Sequence, residues 1–153
     1  MISTEFLPFL DAAKEHTVRL GAEVIDVVIR GDRSRRVIEL FVDNADGVSL
    51  DLCRQISRSL KQEIEEKSLI AGSYRLDVSS PGIDRPLKFS WQYKKHIGRN
   101  LEIAYQGDDG KRNVAGKLLS VDDKGIMVQT GKESTVLRLE FPVITESKVK
   151  SPW

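Results

Sequence analysis

The sequence contains few of the residues on which most catalytic and metal sites depend. Its 153 residues include one cysteine and two histidines. A single thiol cannot form an internal disulfide, and Cys53, His16 and His96 do not have the spacing of a zinc site. Glycine-rich phosphate loops (GxxxxGK[ST], GxGxxG) and the GxSxG nucleophile turn are missing. We therefore expect no enzyme activity, no cofactor and no metal, and we expect Cys53 to be a semi-buried helical residue.

Adjacent carboxylates occur twice, and neither pair is predicted to be catalytic. Asp108–Asp109 and Asp122–Asp123 lie in short polar stretches with glycine, between segments that alternate like strands. Aspartate is common in such turns because its side chain hydrogen-bonds to nearby backbone amides. A turn role therefore explains both pairs better than acid–base catalysis does.

Long apolar runs are also missing. No segment approaches the roughly 18 apolar residues that a membrane-spanning helix needs. The first sixteen residues, MISTEFLPFLDAAKEH, contain acids and no long apolar run, which is not typical of a signal peptide. The expected location is the cytosol.

The charges are unevenly distributed along the chain. Residues 1–80 carry 11 Lys and Arg against 14 Asp and Glu, a net charge of −3. Residues 81–153 carry 13 against 9, a net charge of +4. This asymmetry favours contact between the C-terminal half and an anionic partner.

Two helices are predicted in residues 1–82. The first begins at Ser3 or Thr4, residue types that cap helices, and ends at Gly21. The second begins with Ser49 as its cap and ends before Gly72. Both have apolar residues at helical spacing, so each buries one face.

Three strands are predicted in the same region, at 23–30, 36–43 and 74–79. A short polar turn joins the first two strands as a hairpin. Within the first strand one face is predicted to carry three β-branched residues: Ile25, Val27 and Ile29. The order helix, strand, strand, helix, strand predicts a small α+β domain with one largely antiparallel sheet and both helices on one face.

Residues 83–153 have a different pattern, with a short helix at 90–97 followed by short strands. The predicted strands are separated by tight polar turns and lie at 101–105, 114–121, 126–129, 135–139 and 144–149. Many short strands in about 60 residues are typical of a small β-barrel. We therefore predict two domains, 1–82 and 83–153.

The junction between them reads VSSPGIDRPLK over residues 78–88. Two prolines and a glycine restrict the backbone here, whereas a flexible linker would be richer in glycine and serine. We predict a rigid interdomain elbow that holds the domains in register and that also presents a surface to a partner. Its residues are Ser79, Ser80, Pro81, Gly82, Asp84, Arg85 and Pro86.

A basic segment follows the elbow, with no acidic residue between its first and last members. Its basic residues are Arg85, Lys88, Lys94, Lys95 and Arg99, and its aromatic residues are Phe89, Trp91 and Tyr93. Basic side chains can neutralise phosphates and exposed aromatic rings can stack on bases. Alternatively, the apolar residues Phe89, Trp91, Tyr93 and Ile97 fill the seam between the two domains while the basic residues are only solvated.

A second basic group surrounds the predicted hairpin turn. It comprises Arg30, Arg33, Arg35 and Arg36. This group either contacts phosphate or protects an exposed sheet edge from aggregation.

The segment YRLDVSSPGIDRPL (residues 74–87) closely resembles the signature of the bacterial ribosome maturation factor RimP family. Supporting stretches are IELFVD (38–43), GVSLDLC (47–53) with Ser57 following, HIGR (96–99) and GKLL (116–119). The resemblance implies an N-terminal α+β domain with the topology of some KH-type RNA-binding domains and a C-terminal Sm-like or SH3-like barrel. The GxxG loop with which true KH domains grip a nucleotide backbone is missing from residues 1–82, the predicted α+β domain.

The resemblance also implies a function, that of a non-catalytic factor for maturation of the 30S ribosomal subunit. The implied partners are pre-30S particles, a small-subunit ribosomal protein contacted through the barrel, and 16S rRNA, with the protein acting as a monomer. We expect the five basic residues to contact phosphate or an acidic partner. Two alternatives are a general RNA-binding module of the Sm-like type, which would bind short free RNA tightly, and an RNA hydrolase, which the residue inventory disfavours.

Overall fold

A computed structural model describes residues 2–82, 85–131 and 135–150 of the chain. The chain forms two compact units, Met1–Pro81 and Gly82–Trp153, and each has its own buried core. Within the described ranges, no helix is both long enough and apolar enough to cross a membrane.

The first unit contains two helices and three strands in the predicted order. Its elements are α1 (Leu7–Arg19), β1 (Glu23–Asp32), β2 (Arg35–Asp43), α2 (Leu50–Lys67) and β3 (Tyr74–Ser79).

The two helices begin in different ways. The Oγ atom of Ser49 accepts a hydrogen bond of 3.0 Å from the backbone amide of Leu52, which confirms the predicted cap of α2. The predicted cap of α1 is wrong, because a short 3₁₀ turn over Thr4–Phe6 precedes this helix and the side chain of Ser3 makes no capping bond. Pro8 lies in the first turn of α1, where its missing amide proton costs little.

The three strands form one mixed sheet in the order β1-β2-β3. β1 and β2 are antiparallel, as predicted, but β3 pairs with β2 in parallel. The prediction of a largely antiparallel sheet is therefore wrong for β3. The physical reason is α2, an 18-residue crossover that returns the chain to the edge of β2 in the same direction.

Both helices cover the same face of this sheet. Ile38, Leu40 and Val42 on the central strand are each fully buried in that core. A β-bulge between Val24 and Asp26 interrupts the predicted alternation of β1. Because of it the residues that pack on the core are Val24, Val27 and Ile29, and the prediction that Ile25 shares their face is wrong.

The second unit consists of a short helix and five antiparallel strands. Its elements are α3 (Ser90–Lys94), β4 (Asn100–Gly107), β5 (Gly110–Val121), β6 (Gly125–Thr130), β7 (Thr135–Glu140) and β8 (Ile144–Val149). The helix is three residues shorter than predicted, and the strands follow the predicted pattern.

The sheet order is β7-β6-β5-β4-β8, so the last strand returns to the first strand of the unit. Five apolar side chains of this core are fully buried: Leu101, Ile103, Leu118, Ile126 and Val128. The prediction of an all-β unit of short antiparallel strands is thereby confirmed, apart from α3. Closure of this sheet into a barrel stays a prediction, because among the described residues β7 and β8 are the two ends of the sheet order.

Candidate nucleic-acid interface

The basic segment, residues 85–99, is built around a buried glutamine. Gln92 is 1% exposed, and its Oε1 atom accepts hydrogen bonds from the backbone amides of Lys88 at 2.7 Å and Phe89 at 2.8 Å. These bonds satisfy backbone donors just before α3, which a five-residue helix cannot satisfy itself. The backbone position of Lys88, two residues before α3, is therefore fixed by the buried side chain of Gln92.

Tyr93 holds α3 against the sheet. Its hydroxyl donates a 2.7 Å hydrogen bond to the Oγ atom of Ser147 on β8, and both residues are buried. Its ring also packs against Phe141, with the ring centres 5.5 Å apart. Burial raises the pKa of the Tyr93 hydroxyl, which is thus a neutral donor. Tyr93 is therefore a residue of the second unit's own core.

We expect Tyr93→Phe to lower the free energy of unfolding of the second unit by about 1–2 kcal/mol. The variant retains the ring but leaves the buried Ser147 hydroxyl without its partner. Urea unfolding followed by tryptophan fluorescence measures the loss, because Trp91 and Trp153 both belong to the second half of the sequence. Adding Ser147→Ala removes the orphaned hydroxyl and should restore part of the stability. No recovery in the double variant would contradict the assigned hydrogen bond.

Phe89 and Trp91 behave differently from Tyr93. Their rings are stacked, with centres 5.6 Å apart and planes inclined by 7°, and both are half-buried outside the core of the second unit. The ammonium group of Lys88 lies 5.9 Å from the centre of the Phe89 ring. A stacked, partly exposed aromatic pair beside a cation is an arrangement that can hold a nucleobase.

The five basic residues predicted to bind a partner all lie on this segment. Lys88, Lys94 and Arg99 are exposed, whereas Arg85 and Lys95 are half-buried. Neither Lys94 nor Arg99 forms a side-chain ion pair or hydrogen bond with a described residue. The end of the segment is joined to β5, since Leu118 accepts from the amide of Gly98 at 2.8 Å and donates to the carbonyl of Arg99 at 2.9 Å. The structure thus brings the exposed cations onto one well-anchored segment.

The elbow residues begin where β3 ends. Ser79 is the last residue of β3, and Gly82 has φ = +67°, a conformation that favours glycine. Asp84 lies outside the described residues, so its role in the elbow stays a prediction. Pro86 is exposed.

The second basic group separates into two pairs. Arg36 is buried: its Nη1 donates to the carbonyl of Ala71 at 2.9 Å, and its guanidinium lies 4.9 Å from the Phe6 ring centre. A role for Arg36 in phosphate contact is therefore wrong. Arg30 is paired with Glu39 across the sheet.

Arg33 and Arg35 lie at the exposed tip of the β1–β2 hairpin. Their side chains have no ion pair within residues 2–82, 85–131 and 135–150. The two roles predicted for this basic group, phosphate contact or protection of an exposed sheet edge, therefore apply only to Arg33 and Arg35.

Sequence reasoning missed a polar clamp between α1 and α2. His16, 6% exposed, lies 2.5 Å from Ser59 Oγ through Nδ1 and 3.0 Å from Glu63 Oε1 through Nε2. Arg19 Nη2 lies 2.6 Å from Nδ1, so Nδ1 accepts and Nε2–H donates to the carboxylate. This bond lowers the pKa of Glu63.

A serine, a histidine and an acid together resemble a nucleophilic triad, but here the acid bonds to Nε2 and the serine to Nδ1. In this arrangement the serine shares its nitrogen with Arg19, and the contacts join two helices. The spacing of Ser59 and Glu63 predicts one helix face, yet only the packing of α1 on α2 brings His16 to them.

The turn role predicted for the adjacent carboxylates is confirmed for Asp122. Asp122 accepts hydrogen bonds from the amides of Lys124 at 2.8 Å and Gly125 at 2.9 Å, and it is ion-paired with Arg138. The Arg138 bonds, followed by the amides, hold the pKa of Asp122 well below its usual range. Asp109 is paired with Arg112 at 3.0 Å.

The described residues provide neither an exposed thiol nor a group of side chains that could bind a metal ion. Cys53 is buried on α2, and burial raises the pKa of its thiol. In the part of the chain that the structure describes, no three His, Cys, Asp or Glu side chains are grouped so that they could hold a metal ion.

The fold and the basic segment together define a class: a small protein with an α+β unit, an all-β unit and a basic, aromatic-containing surface on the second unit. Residues 12–84 match the family model of the RimP N-terminal domain, which covers most of the first unit and the start of the junction. The first unit therefore contains a domain of the RimP family, a family of ribosome maturation factors.

Proposed function

We propose that this protein is a non-catalytic assembly factor that binds pre-30S particles in the cytoplasm and promotes maturation of the 30S subunit. The RimP-family domain in the first unit supports a role in ribosome maturation. A factor of this kind acts by binding the immature state more tightly than the finished one, which shifts the particle toward one arrangement. In this proposal the protein acts as a monomer, and the second unit contacts a small-subunit ribosomal protein.

The observation that carries the proposal is the anchored basic segment. Exposed Lys88, Lys94 and Arg99 lie on a segment held by Gln92, Tyr93 and β5. Cations on a rigid support bind phosphate with little loss of conformational entropy. We propose that these residues, together with Arg85 and Lys95, contact phosphates of 16S rRNA or an acidic surface of the particle. We also propose that the segment Ser79–Pro86 connects the units rigidly.

The test uses a triple variant, Lys88→Gln, Lys94→Gln and Arg99→Gln. We expect weaker co-sedimentation with pre-30S particles and a salt dependence whose logarithmic slope is smaller by about 2–3, one phosphate contact for each residue. The measurement is gradient sedimentation of tagged protein with purified particles between about 0.05 and 0.2 M salt.

The matched control is Lys14→Gln, Arg54→Gln and Lys61→Gln. These residues are exposed on α1 and α2 and the control makes the same change of charge. If both triple variants sediment like the unchanged protein at every salt concentration, the basic segment is not the interface. If the unchanged protein never sediments with particles, the assembly role itself is wrong.

A general RNA-binding module of the Sm-like type is a second candidate, and the stacked pair Phe89–Trp91 beside Lys88 favours it. Such a module would bind short, unstructured RNA tightly without any particle. A gel-shift measurement with a ten-nucleotide RNA separates the two, because the assembly role requires a structured ribosomal target.

A further inference from the structure

Four polar side chains form a row across four neighbouring strands of the second unit. In spatial order they are Lys150, Asn100, Lys117 and Gln129. Asn100 lies opposite Lys117, and Lys117 lies opposite Gln129. The amide of Lys150, the residue after β8, donates to the carbonyl of Asn100 at 2.8 Å. These residues are up to 50 positions apart in the sequence, and only the sheet brings them together.

The row lies on the face of the sheet opposite the core. Each member is next in sequence to a buried core residue, and these neighbours are Val149, Leu101, Leu118 and Val128. Because side chains alternate along a strand, the polar residues point away from that core. Asn100, Lys117 and Lys150 are exposed, and Gln129 is half-buried.

Small residues beside the row leave room for a ligand. Ala115 and Gly131 continue the same strands with little or no side chain, and with the row they line an open pocket of about 450 Å³. A pocket of this size falls within the range that holds small organic groups, such as one nucleotide. Its rim carries two ammonium groups and two carboxamides.

Neither lysine of the row has an acidic partner among the described residues, whereas three other basic residues of this unit do. Arg112 is paired with Asp109, Arg138 with Asp122, and Lys148 with Glu146. An acid on the same face as the row, Glu102, lies two residues after Asn100 on β4, opposite Lys148. The row is therefore a positive stretch of an otherwise balanced face.

We propose that this pocket is a second rRNA-binding site, in which Lys117 and Lys150 bind phosphate while Asn100 and Gln129 hydrogen-bond to a base edge or a ribose 2′-hydroxyl. The inference rests on the proposed assembly role and adds a site to it. RNA explains both kinds of group, because it offers a phosphate at every nucleotide together with bases and hydroxyls. An acidic protein segment offers anions only where acidic residues occur, whereas RNA has a phosphate at every nucleotide. Asn100, a member of the row, directly follows Arg99 in the sequence, so this site is continuous with the basic segment.

The experiment compares two double variants in binding to a full-length 16S rRNA transcript. Lys117→Gln with Lys150→Gln should weaken binding about tenfold at about 0.15 M salt and reduce the logarithmic salt slope by about 1.5. The control, Lys111→Gln with Lys124→Gln, changes two exposed lysines of the same unit outside the row and should leave both quantities unchanged. Equal binding by the two double variants would overturn the proposal.

A photo-cross-linking amino acid at Gln129 distinguishes RNA from protein in the intact pre-30S particle. Cross-links to 16S rRNA support the site, whereas cross-links only to a ribosomal protein overturn it. Failure of the assembly role is recognised separately: the unchanged protein then does not sediment with particles, yet transcript binding still depends on Lys117 and Lys150. Failure of the pocket alone appears as normal sedimentation with no effect of these two lysines.

Discussion

Gly72→Ala should destabilise the first unit by about 3 kcal/mol. Gly72 has φ = +81°, and a Cβ atom there would lie 2.2 Å from the carbonyl oxygen of Arg33. That oxygen belongs to the backbone of the β1–β2 hairpin turn, so it cannot move aside as a flexible side chain would. The same place holds two hydrogen bonds, from the amide of Ser73 to the Arg33 carbonyl at 2.9 Å and from the amide of Arg36 to the Ser73 carbonyl at 3.1 Å. The substitution therefore separates the hairpin tip from the loop before β3.

Gly47→Ala is the matched control for this prediction. Gly47 also has a positive φ, +91°, but nothing lies within 4 Å of a Cβ atom there. Gly47→Ala should lower the free energy of unfolding only by the cost of backbone strain, about 1 kcal/mol. Urea unfolding followed by far-UV circular dichroism, with amide exchange of β1 and β2, measures both variants. Equal losses of unfolding free energy in the two variants would show that the close approach of Gly72 to Arg33 adds nothing to the cost of the substitution.

Leu118→Ala should destabilise the second unit by about 3 kcal/mol. The side chain is fully buried in the core, on the central strand β5, which pairs with both β4 and β6. Truncation removes its transfer free energy and leaves a cavity that the surrounding strands can close only in part. The same backbone position bonds to Gly98 and Arg99, so the anchor of the basic segment should loosen as well.

The adjacent leucine offers a control with an identical chemical change. Leu119 is 37% exposed, so Leu119→Ala should cost less than about 1 kcal/mol. Successive side chains of a strand point to opposite faces of the sheet, which places the two leucines in different environments despite their adjacency. Tryptophan fluorescence during urea unfolding is the measurement. A loss at Leu119 as large as that at Leu118 would contradict the assigned core.

Local signals were sufficient for most of the elements. Ser49 caps α2 because its hydroxyl can reach an amide three residues away, and this depends only on neighbouring residues. The alternation of Ile38, Leu40 and Val42 likewise placed the buried face of β2 correctly. Two wrong predictions about the first sheet, the shared face of Ile25 and an antiparallel β3, depend on which strands meet, and strand pairing is not a local property.

The candidate site likewise has some features that the sequence predicted and others that it did not. The five basic residues of the segment were found from composition, because they are close together in the sequence. The different roles of Arg36, which is buried beside Phe6, and Arg33, which is exposed, could not be predicted, because the four arginines of that group look alike in sequence. The row of Lys150, Asn100, Lys117 and Gln129 has no sequence signal at all.

By itself, the sequence determined the types and order of the elements, the change from an α+β to an all-β pattern near residue 82, and the RimP resemblance. It could do so because periodicity, turn residues and a contiguous signature are all properties of adjacent residues. Only the tertiary structure decided which polar groups become neighbours: the clamp of His16, Ser59 and Glu63, the Tyr93–Ser147 bond, and the pocket across β4, β5 and β6. The physical reason is that contacts between distant residues depend on strand register and helix packing. These are set by burial of the whole core, and no short stretch of sequence contains that information.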